Sequence, residues 1–567
     1  MKLNEKWSWF AGFTAVFAAL AAYVFWGTWS LDVVPVMPDA TTTYPADQVA
    51  RSFRGLLESG RFIPFDLVNL IGSPYFWQEL KYVLALYLAA LGVAYYCRGR
   101  GLSRLASYGA GLLLGFCGYW MTLFSAGHYG WFQWMAHGVF AFGLADRAVR
   151  KGRLRHWLLL GAVVAWASFN QQDLWLLFSV FTTFYFFWCC VRERKFPWKG
   201  MLISLAAFAA IGIVNFRSVL FDGTLKGRQD QIARGENITQ KDASEAEKRW
   251  EFVTNWSMPP EDTLEFLLPR VHGDTSCPFV LSINGRQGVK PYTGALGRPL
   301  NAKQGNYRQH SLYVGWALCL FALLGIVGRF FERGSDLHKE RGSDLHKERG
   351  SGLQKERGSG LLTACQKSDV LFFAVAALVF YLLSLGRYFE PTYRVIFALP
   401  FGDLIRCPVK WHHLTEFCLA VLAAHGIAAL AGRMGRIGQV GRFAPLVVGA
   451  LVILGAISLA CNDRLYCAPV SVKEARRTNS TMQMTILPRQ QFQNPQVAAM
   501  VRAGRVVSIA NYMGNPEYFL VGILDHVKPR EKTPLSPLTL VLGLLSIGTT
   551  LGIAVYCLYG LSVCRRR

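Results

Sequence analysis

The chain is short of charge. Of its 567 residues only 17% are Asp, Glu, Lys or Arg, while 52% are hydrophobic and the mean hydropathy is +0.25. A soluble protein of this length needs more polar surface than that to cover its domains. Acidic residues are the scarcer sign, 36 against 60 basic, which leaves a net charge of +24. Such a balance suits nucleic acid when it forms a patch. Here the basic residues sit in short loops between apolar blocks, so nucleic acid is not expected as a partner. There is no Walker A sequence, no G-x-G-x-x-G after a strand, no H-E-x-x-H and no nucleophile elbow, so transport driven by ATP hydrolysis within this chain is not expected. The 13 cysteines show no metal or redox spacing. Cys117, Cys189, Cys190 and Cys319 fall in apolar blocks, where they act as small hydrophobes. Cys461, at the end of a block, and Cys467, beyond it, are placed on the outer side and could pair in an oxidising compartment, with unpaired thiols an equal alternative. A cleavable leader is not expected: the apolar run Trp7–Trp29 is long for a signal core, no small-residue cleavage site follows it, and it reads as a first span.

What is present is a series of apolar blocks of about 17–23 residues, the length that crosses a hydrocarbon core about 30 Å thick. They lie at 8–28, 81–97, 105–124, 131–146, 156–169, 174–191, 200–217, 312–329, 369–386, 412–431, 444–461 and 536–559. The fifth is short enough to be partly re-entrant. The pattern predicts an all-α polytopic membrane protein with about twelve transmembrane helices.

The loop charges sort by side. Arg98, Arg100 and Arg104 fall on one side, with Arg147, Arg150, Lys151, Arg153 and Arg155, then Arg192, Arg194, Lys195 and Lys199, then Arg433, Arg436 and Arg442, and finally Arg565–Arg567. An excess of Lys and Arg marks cytoplasmic loops, so both termini are expected inside, in a multi-pass protein of the cytoplasmic membrane. The opposite side carries the long loops 29–80, 218–311, 387–411 and 462–535, too long for simple connectors. The expected division is a transmembrane core over 1–461, a small extracytoplasmic segment over 462–535, and a last helix with a basic tail over 536–567. Residues 332–361 hold an eight-residue repeat beginning Glu-Arg-Gly-Ser. Its recurrent Gly and Ser oppose helix formation, and a disordered cytoplasmic insert is expected.

The outer loops hold the candidate chemistry. Asp39 follows Pro38 just past the first span, with Asp32 upstream. A carboxylate at the membrane boundary can take a proton from a hydroxyl; an ordinary Asx turn is the plainer alternative. His128 lies in a Gly-His turn, and Gln171, Gln172 and Asp173 lie in a second turn between spans. Polar groups at the membrane edge are costly unless paired or wet, which fits a cavity; water-exposed turns would look the same. Trp256–Pro269 reads as a helix opened by prolines and acidic residues, a scaffold more than a site. Arg406, Lys410, His412 and His413 enter the tenth span, with Arg394 upstream. Outer basic residues run against the topological preference. An Arg fork and a Lys point charge suit phosphate oxygens, and contact with anionic headgroups is the alternative.

Taken in order, these motifs form a pattern. It runs Asp39-x4-Tyr44-Pro45, Gly60-x3-Pro64, Gly72-Ser73-Pro74, the Gly127-His128 turn, the Gln-Gln-Asp turn, Trp256-Ser257-x-Pro259 with Leu267-Leu268-Pro269, and Arg406-x-Pro408-x-Lys410. Over roughly residues 1–430 it resembles the YfhO-type bacterial membrane proteins of the GT-C superfamily of polyprenyl-phosphate-sugar glycosyltransferases. The resemblance implies a GT-C-like fold and an inverting hexosyl- or pentosyltransferase. Such an enzyme passes a sugar from a polyprenyl-phosphate donor to an envelope glycan or lipid acceptor on the outer face of the membrane. It implies Asp39 as base, with Asp32 as fallback, and Arg406, Lys410 and Arg394 as holders of the donor phosphate. His128, Asp173, Gln172 and His412 would line the cavity. No cofactor is expected; no acidic pair accompanies Asp39 to indicate a divalent cation. The repeat is not a feature of that family, and 462–535 is shorter than a C-terminal acceptor domain there. The competing reading is a transporter or flippase of a lipid-linked or envelope precursor, for which about twelve spans is a common number; no two-fold internal repeat of the kind transporters carry is evident.

Overall fold

A computed structural model of the chain describes residues 5–25, 33–36, 42–44, 74–120, 131–169, 172–221, 244–269, 271, 280–283, 286–289, 312–340, 364–399, 402, 405–462, 468–471, 481–488, 490, 494–503, 506–512, 515–525 and 537–566. The helices are α1 (Glu5–Val24), α2 (Pro74–Gly99), α3 (Arg104–Gly115), α4 (Trp131–Lys151), α5 (Leu154–Ala167), α6 (Gln172–Glu193), α7 (Trp198–Phe221), α8 (Glu245–Thr254), α9 (Trp316–Glu340), α10 (Ala364–Ser384), α11 (Glu390–Ala398), α12 (His412–Met434), α13 (Ala444–Asn462), α14 (Pro495–Arg502) and α15 (Pro537–Arg566). The membrane part is all-α and polytopic, and each of the twelve expected spans falls on one of these helices.

Length and composition are less generous than the pattern. Six segments among the described residues are long and apolar enough to cross a membrane: Trp7–Val24, Tyr82–Gly99, Leu174–Glu193, Pro408–Met434, Gly441–Cys461 and Leu540–Cys557. A seventh exists if Ser368–Ser384 and Gly386–Ala398, bent by 111°, form one broken span. Leu154–Ala167, Trp198–Ile213 and Trp316–Gly328 are shorter apolar helices. α3 stops at Gly115, well before residue 124, and α4 ends in Arg150 and Lys151. The helix at Trp316 runs on to Glu340, into the repeat that was expected to be disordered from 332. A helix already nucleated adds residues at little cost; the rest of the repeat, from 341, lies outside the described residues.

The central helix is α12. Of the Pro408–Met434 segment 78% is buried, against 22% for Trp7–Val24 and 28% for Leu540–Cys557. The outer two carry their apolar residues toward lipid, the inner one toward other helices. α12 meets α9 backbone to backbone: a Cβ on Gly426 would strike the Phe321 carbonyl oxygen, and one on Gly325 the Leu422 carbonyl oxygen. Small residues at such crossings replace the hydrophobic drive that lipid removes. On its other side Phe417 packs into an aromatic cluster, with ring centroids 4.7 Å from Phe142 of α4 and 6.0 Å from Phe373 of α10.

One end of the bundle is closed by buried ion pairs. Asp146 of α4 accepts from Arg100 at 3.1 Å, from Arg192 of α6 at 2.9 Å and from Arg150 Nε at 2.9 Å. Asp369 of α10 accepts from Arg192 at 2.7 Å and from Arg100 Nε. The three arginines come from loops assigned to one side by the sequence, and the structure gathers them at one end.

The strands are β1 (Val33–Val36), β2 (Thr42–Tyr44), β3 (Val280–Ile283), β4 (Arg286–Val289), β5 (Ala468–Ser471), β6 (Thr481–Pro488), β7 (Val506–Tyr512) and β8 (Asn515–Asp525). They form a four-stranded sheet in the order β2-β6-β8-β7 and two two-stranded pairs, β1-β5 and β3-β4, all antiparallel. The register sets Val33 against Ser471 and Thr42 against Met484. Strands of the first outer loop therefore pair with the 462–535 segment, and the expected boundary at 461 divides chain that is hydrogen-bonded across it.

Candidate functional site

The candidate site lies at the other end of the bundle, where α10 finishes and α12 begins. Residues 408–411 form a 3-10 turn that leads into α12, with Pro408 at its first position, where a missing N–H costs nothing. Before it, Cys407 sits in left-handed backbone at φ 66°, and Trp256 facing it sits at φ 59°. A non-glycine residue held there carries on the order of 1–3 kcal/mol of strain. The tethers that hold it are visible: Cys407 N donates to the Val253 carbonyl at 3.1 Å, and Val409 N to the Trp256 carbonyl at 3.3 Å.

Arg406 lies between these two strained residues in the folded turn. Its guanidinium carbon is 4.4 Å from the Phe252 ring centroid and 4.5 Å from that of Trp256. Each such contact is worth about 0.5–2 kcal/mol, the more as water is removed. The planar cation lies against both rings, which fixes where its charge stands. Phe252 is carried by α8, which opens with a capping box: Ser244 Oγ accepts from Glu247 N at 3.3 Å, and the Glu247 carboxylate accepts from Ser244 N at 2.8 Å. Those bonds hold the Glu247 carboxyl below its ordinary range.

The turn is locked from below by Gly386, at φ 51°. A Cβ there would overlap Ser257 Oγ and come within 2.6 Å of Pro408 Cγ. Arg387 then reaches into the same loop. Its backbone N donates to Ser257 Oγ at 3.0 Å, and its guanidinium donates to the carbonyls of Thr254 and Glu251, both at 3.2 Å, and to Asn255 Oδ1 at 3.1 Å. The Trp256 loop and the Arg406 turn, read as two separate elements in the sequence, are thus one rigid unit. The expected helix at Trp256–Pro269 is in fact the 3-10 turn Pro260–Phe266.

Lys410 is buried in this unit, and so are Asp262 and Glu265. Glu265 accepts the backbone N–H of Leu312 at 3.3 Å. The first turns of α12 are polar despite full burial. His412 Nε2 stands 3.6 Å from Glu416 Oε1, and His413 Nδ1 stands 3.8 Å from Glu416 Oε2. Tyr119 stacks on His413 at 4.2 Å, and the Phe266 ring lies 4.5 Å from His412. Both nitrogens of His412 and of His413, Thr415 Oγ1, Trp411 Nε1 and Trp120 Nε1 are buried without a hydrogen-bond partner. Each such atom costs about 1–3 kcal/mol. Among the described residues no group of three or more His, Cys, Asp or Glu has an arrangement that would hold a metal ion.

Of the residues singled out in the sequence, Arg406, Lys410 and His412 are brought together here. Arg394 is not in the buried group: on α11 it pairs with Glu390 at 3.0 Å, both about half exposed, and lies over the Trp250 ring at 4.3 Å. Asp39, Asp32 and His128 lie outside the described residues, as do the side chains of Gln172 and Asp173 in the first turn of α6. Residues 37–41, which include Asp39, join β1 to β2. Cys461 is exposed and free of a disulfide, and Cys467 lies outside the described residues. Sequence reasoning passed over Glu416. The signal that marks it is an acidic residue inside an otherwise apolar span, which is a site candidate by default.

No family model matches the chain, and no curated protein matches it. Among solved structures it is similar to a crystal structure of ArnT from Cupriavidus metallidurans bound to undecaprenyl phosphate. The identity is 11% over 90% of this chain and 98% of that one, with a TM-score of 0.25. A likeness at that level carries no argument about this chain, whose fold and site stand on the geometry above.

Proposed function

We propose that this polytopic membrane protein is a glycosyltransferase of GT-C type, which passes a sugar from a polyprenyl-phosphate donor to an acceptor of the cell envelope. The observation that carries the reading is the Arg406–Lys410 turn. Two basic side chains, one clamped between aromatic rings and one buried, stand at the entrance to the central span. A lipid-linked donor must be reached from within the bilayer while its phosphate lies at the boundary. Fixed positive charge there neutralises the phosphate as it leaves, without reorganisation at the moment of reaction. Asp39, or Asp32 in its place, serves as the base that takes the acceptor's hydroxyl proton. His128, Gln172 and Asp173 are assigned to the lining of the same cavity. Arg394, tied to Glu390, is left out of the phosphate site.

The site faces outward from the cytoplasmic membrane, with both termini inside. That reading is supported by the basic loops converging on the opposite end. Turnover of a radiolabelled undecaprenyl-phosphate sugar in membranes tests the proposal. A glycosidic product in the wild type, lost in Asp39→Asn with normal expression, is the expected result. Full activity in both Asp39→Asn and Asp32→Asn would sink the acid–base assignment. Movement of the labelled lipid with no glycosidic product would instead favour a flippase.

A further inference from the structure

We infer that the first turns of α12 form the subsite for the sugar of the donor. The inference rests on the reading that the Arg406–Lys410 turn holds a lipid phosphate. Six residues carry it: Trp120, Trp411, His412, His413, Thr415 and Glu416. All are buried, and five of them present seven nitrogen and oxygen atoms with no hydrogen-bond partner. Native interiors leave only a few buried polar atoms unpaired per hundred residues. A concentration at one helix end, with Trp120 of another segment 6.2 Å from His413 ring to ring, therefore marks a place where polar matter belongs.

The chemistry of the atoms selects the occupant. The two indoles can only donate. Each neutral imidazole donates once and accepts once, the threonine hydroxyl does both, and the Glu416 carboxylate only accepts. An anion would meet Glu416 unfavourably, and a cation finds nothing to coordinate in two indole N–H groups. An apolar group would leave every atom unpaired. A polyhydroxylated group, each hydroxyl donating and accepting, satisfies both kinds at once. The sugar of a polyprenyl-phosphate donor hangs directly from the phosphate, and the cluster begins at Trp411, the residue after Lys410. Glu416 is within 4 Å of both imidazoles, so it fixes which of their nitrogens carry protons and hence which hydroxyls they accept from. It is a positioning residue for the sugar.

The test is binding by the full chain in lipid nanodiscs, without turnover. Undecaprenyl phosphate is compared with the same lipid carrying glucose, galactose, mannose or arabinose. The wild type should hold at least one sugar-bearing lipid about tenfold or more tighter than the bare one. Glu416→Gln and His413→Gln should erase that preference and leave affinity for the bare lipid as it was. Trp120→Phe keeps an aromatic ring but removes one donor, and should cut the preference several-fold, which covers the case in which a helix variant fails to fold. Equal wild-type affinity for the bare and all four sugar-bearing lipids would overturn the subsite. A preference that survives Glu416→Gln, His413→Gln and Trp120→Phe would also overturn it. Failure to bind the bare lipid at all would instead count against the phosphate site, a separate result.

Discussion

Neutralising Asp146 is the sharpest perturbation of the bundle itself. Its carboxylate is 1% exposed and takes bonds from three guanidinium groups, Arg100, Arg150 and Arg192. With Asp369, two carboxylates face three arginines. In Asp146→Asn three cations remain against Asp369 alone, and Arg100 and Arg192 are themselves 4% and 9% exposed. Breaking a buried pair by removing one partner costs about 3–5 kcal/mol, because the other charge stays buried and uncompensated. That is roughly two to four orders of magnitude in the folded-to-unfolded ratio. Asn keeps the shape and can still accept, which places this variant at the low end of that range. The contrast is Glu390→Gln, which breaks a half-exposed pair worth about 0–1 kcal/mol. Reversible unfolding by denaturing detergent, followed by tryptophan fluorescence, measures both. If Asp146→Asn unfolds at the same midpoint as Glu390→Gln, the network does not hold the helix ends together and the reasoning fails.

Gly386→Ala places a Cβ into Ser257 and Pro408 in left-handed backbone, and should cost about 2–5 kcal/mol, read as a lower midpoint in the same titration. Arg406→Lys keeps the charge but loses the planar stack between Phe252 and Trp256; about 1–2 kcal/mol of lost contact predicts a roughly tenfold weaker hold on undecaprenyl phosphate, measured in nanodiscs. The Glu247 cap gives a pH effect. Its folded pKa is depressed, so its contribution is present above the unfolded value, about 4.3, and is lost as pH falls through the folded one. Hydrogen exchange of the 245–254 amides should quicken across that acid range in the wild type and show no such step in Glu247→Gln.

How much of this was legible in the sequence depends on what each residue answers to. The number of spans was not, since six described segments, or seven with the bent pair, are long and apolar enough to cross against the twelve expected; the all-α polytopic class was, because a helix satisfies its own backbone in lipid. The sidedness of Arg100, Arg150 and Arg192 was too, since loop charge alternates with each crossing. Their partners were not: Asp146 and Asp369 sit at the ends of apolar blocks, and only tertiary contact shows that they pair with these arginines. Trp256 and Arg406 were found as separate motifs, but the lock between them depends on Gly386, one of 54 glycines. The strands over 33–44 were missed because their partners, over 468–488, lie more than four hundred residues away, which no local window reports. Glu416 was passed over because it lies one turn inside an apolar span, away from the outer loops.

The central claim is that the Arg406–Lys410 turn grips a lipid phosphate. The most direct measurement is the affinity of the purified chain in nanodiscs for undecaprenyl phosphate alone, in the wild type, in Lys410→Met and in Glu390→Gln. The account predicts a saturable wild-type affinity, a loss of about tenfold or more in Lys410→Met as one charge-assisted phosphate contact disappears, and no change in Glu390→Gln. A Lys410→Met variant that folds and binds the lipid as tightly as the wild type would contradict it.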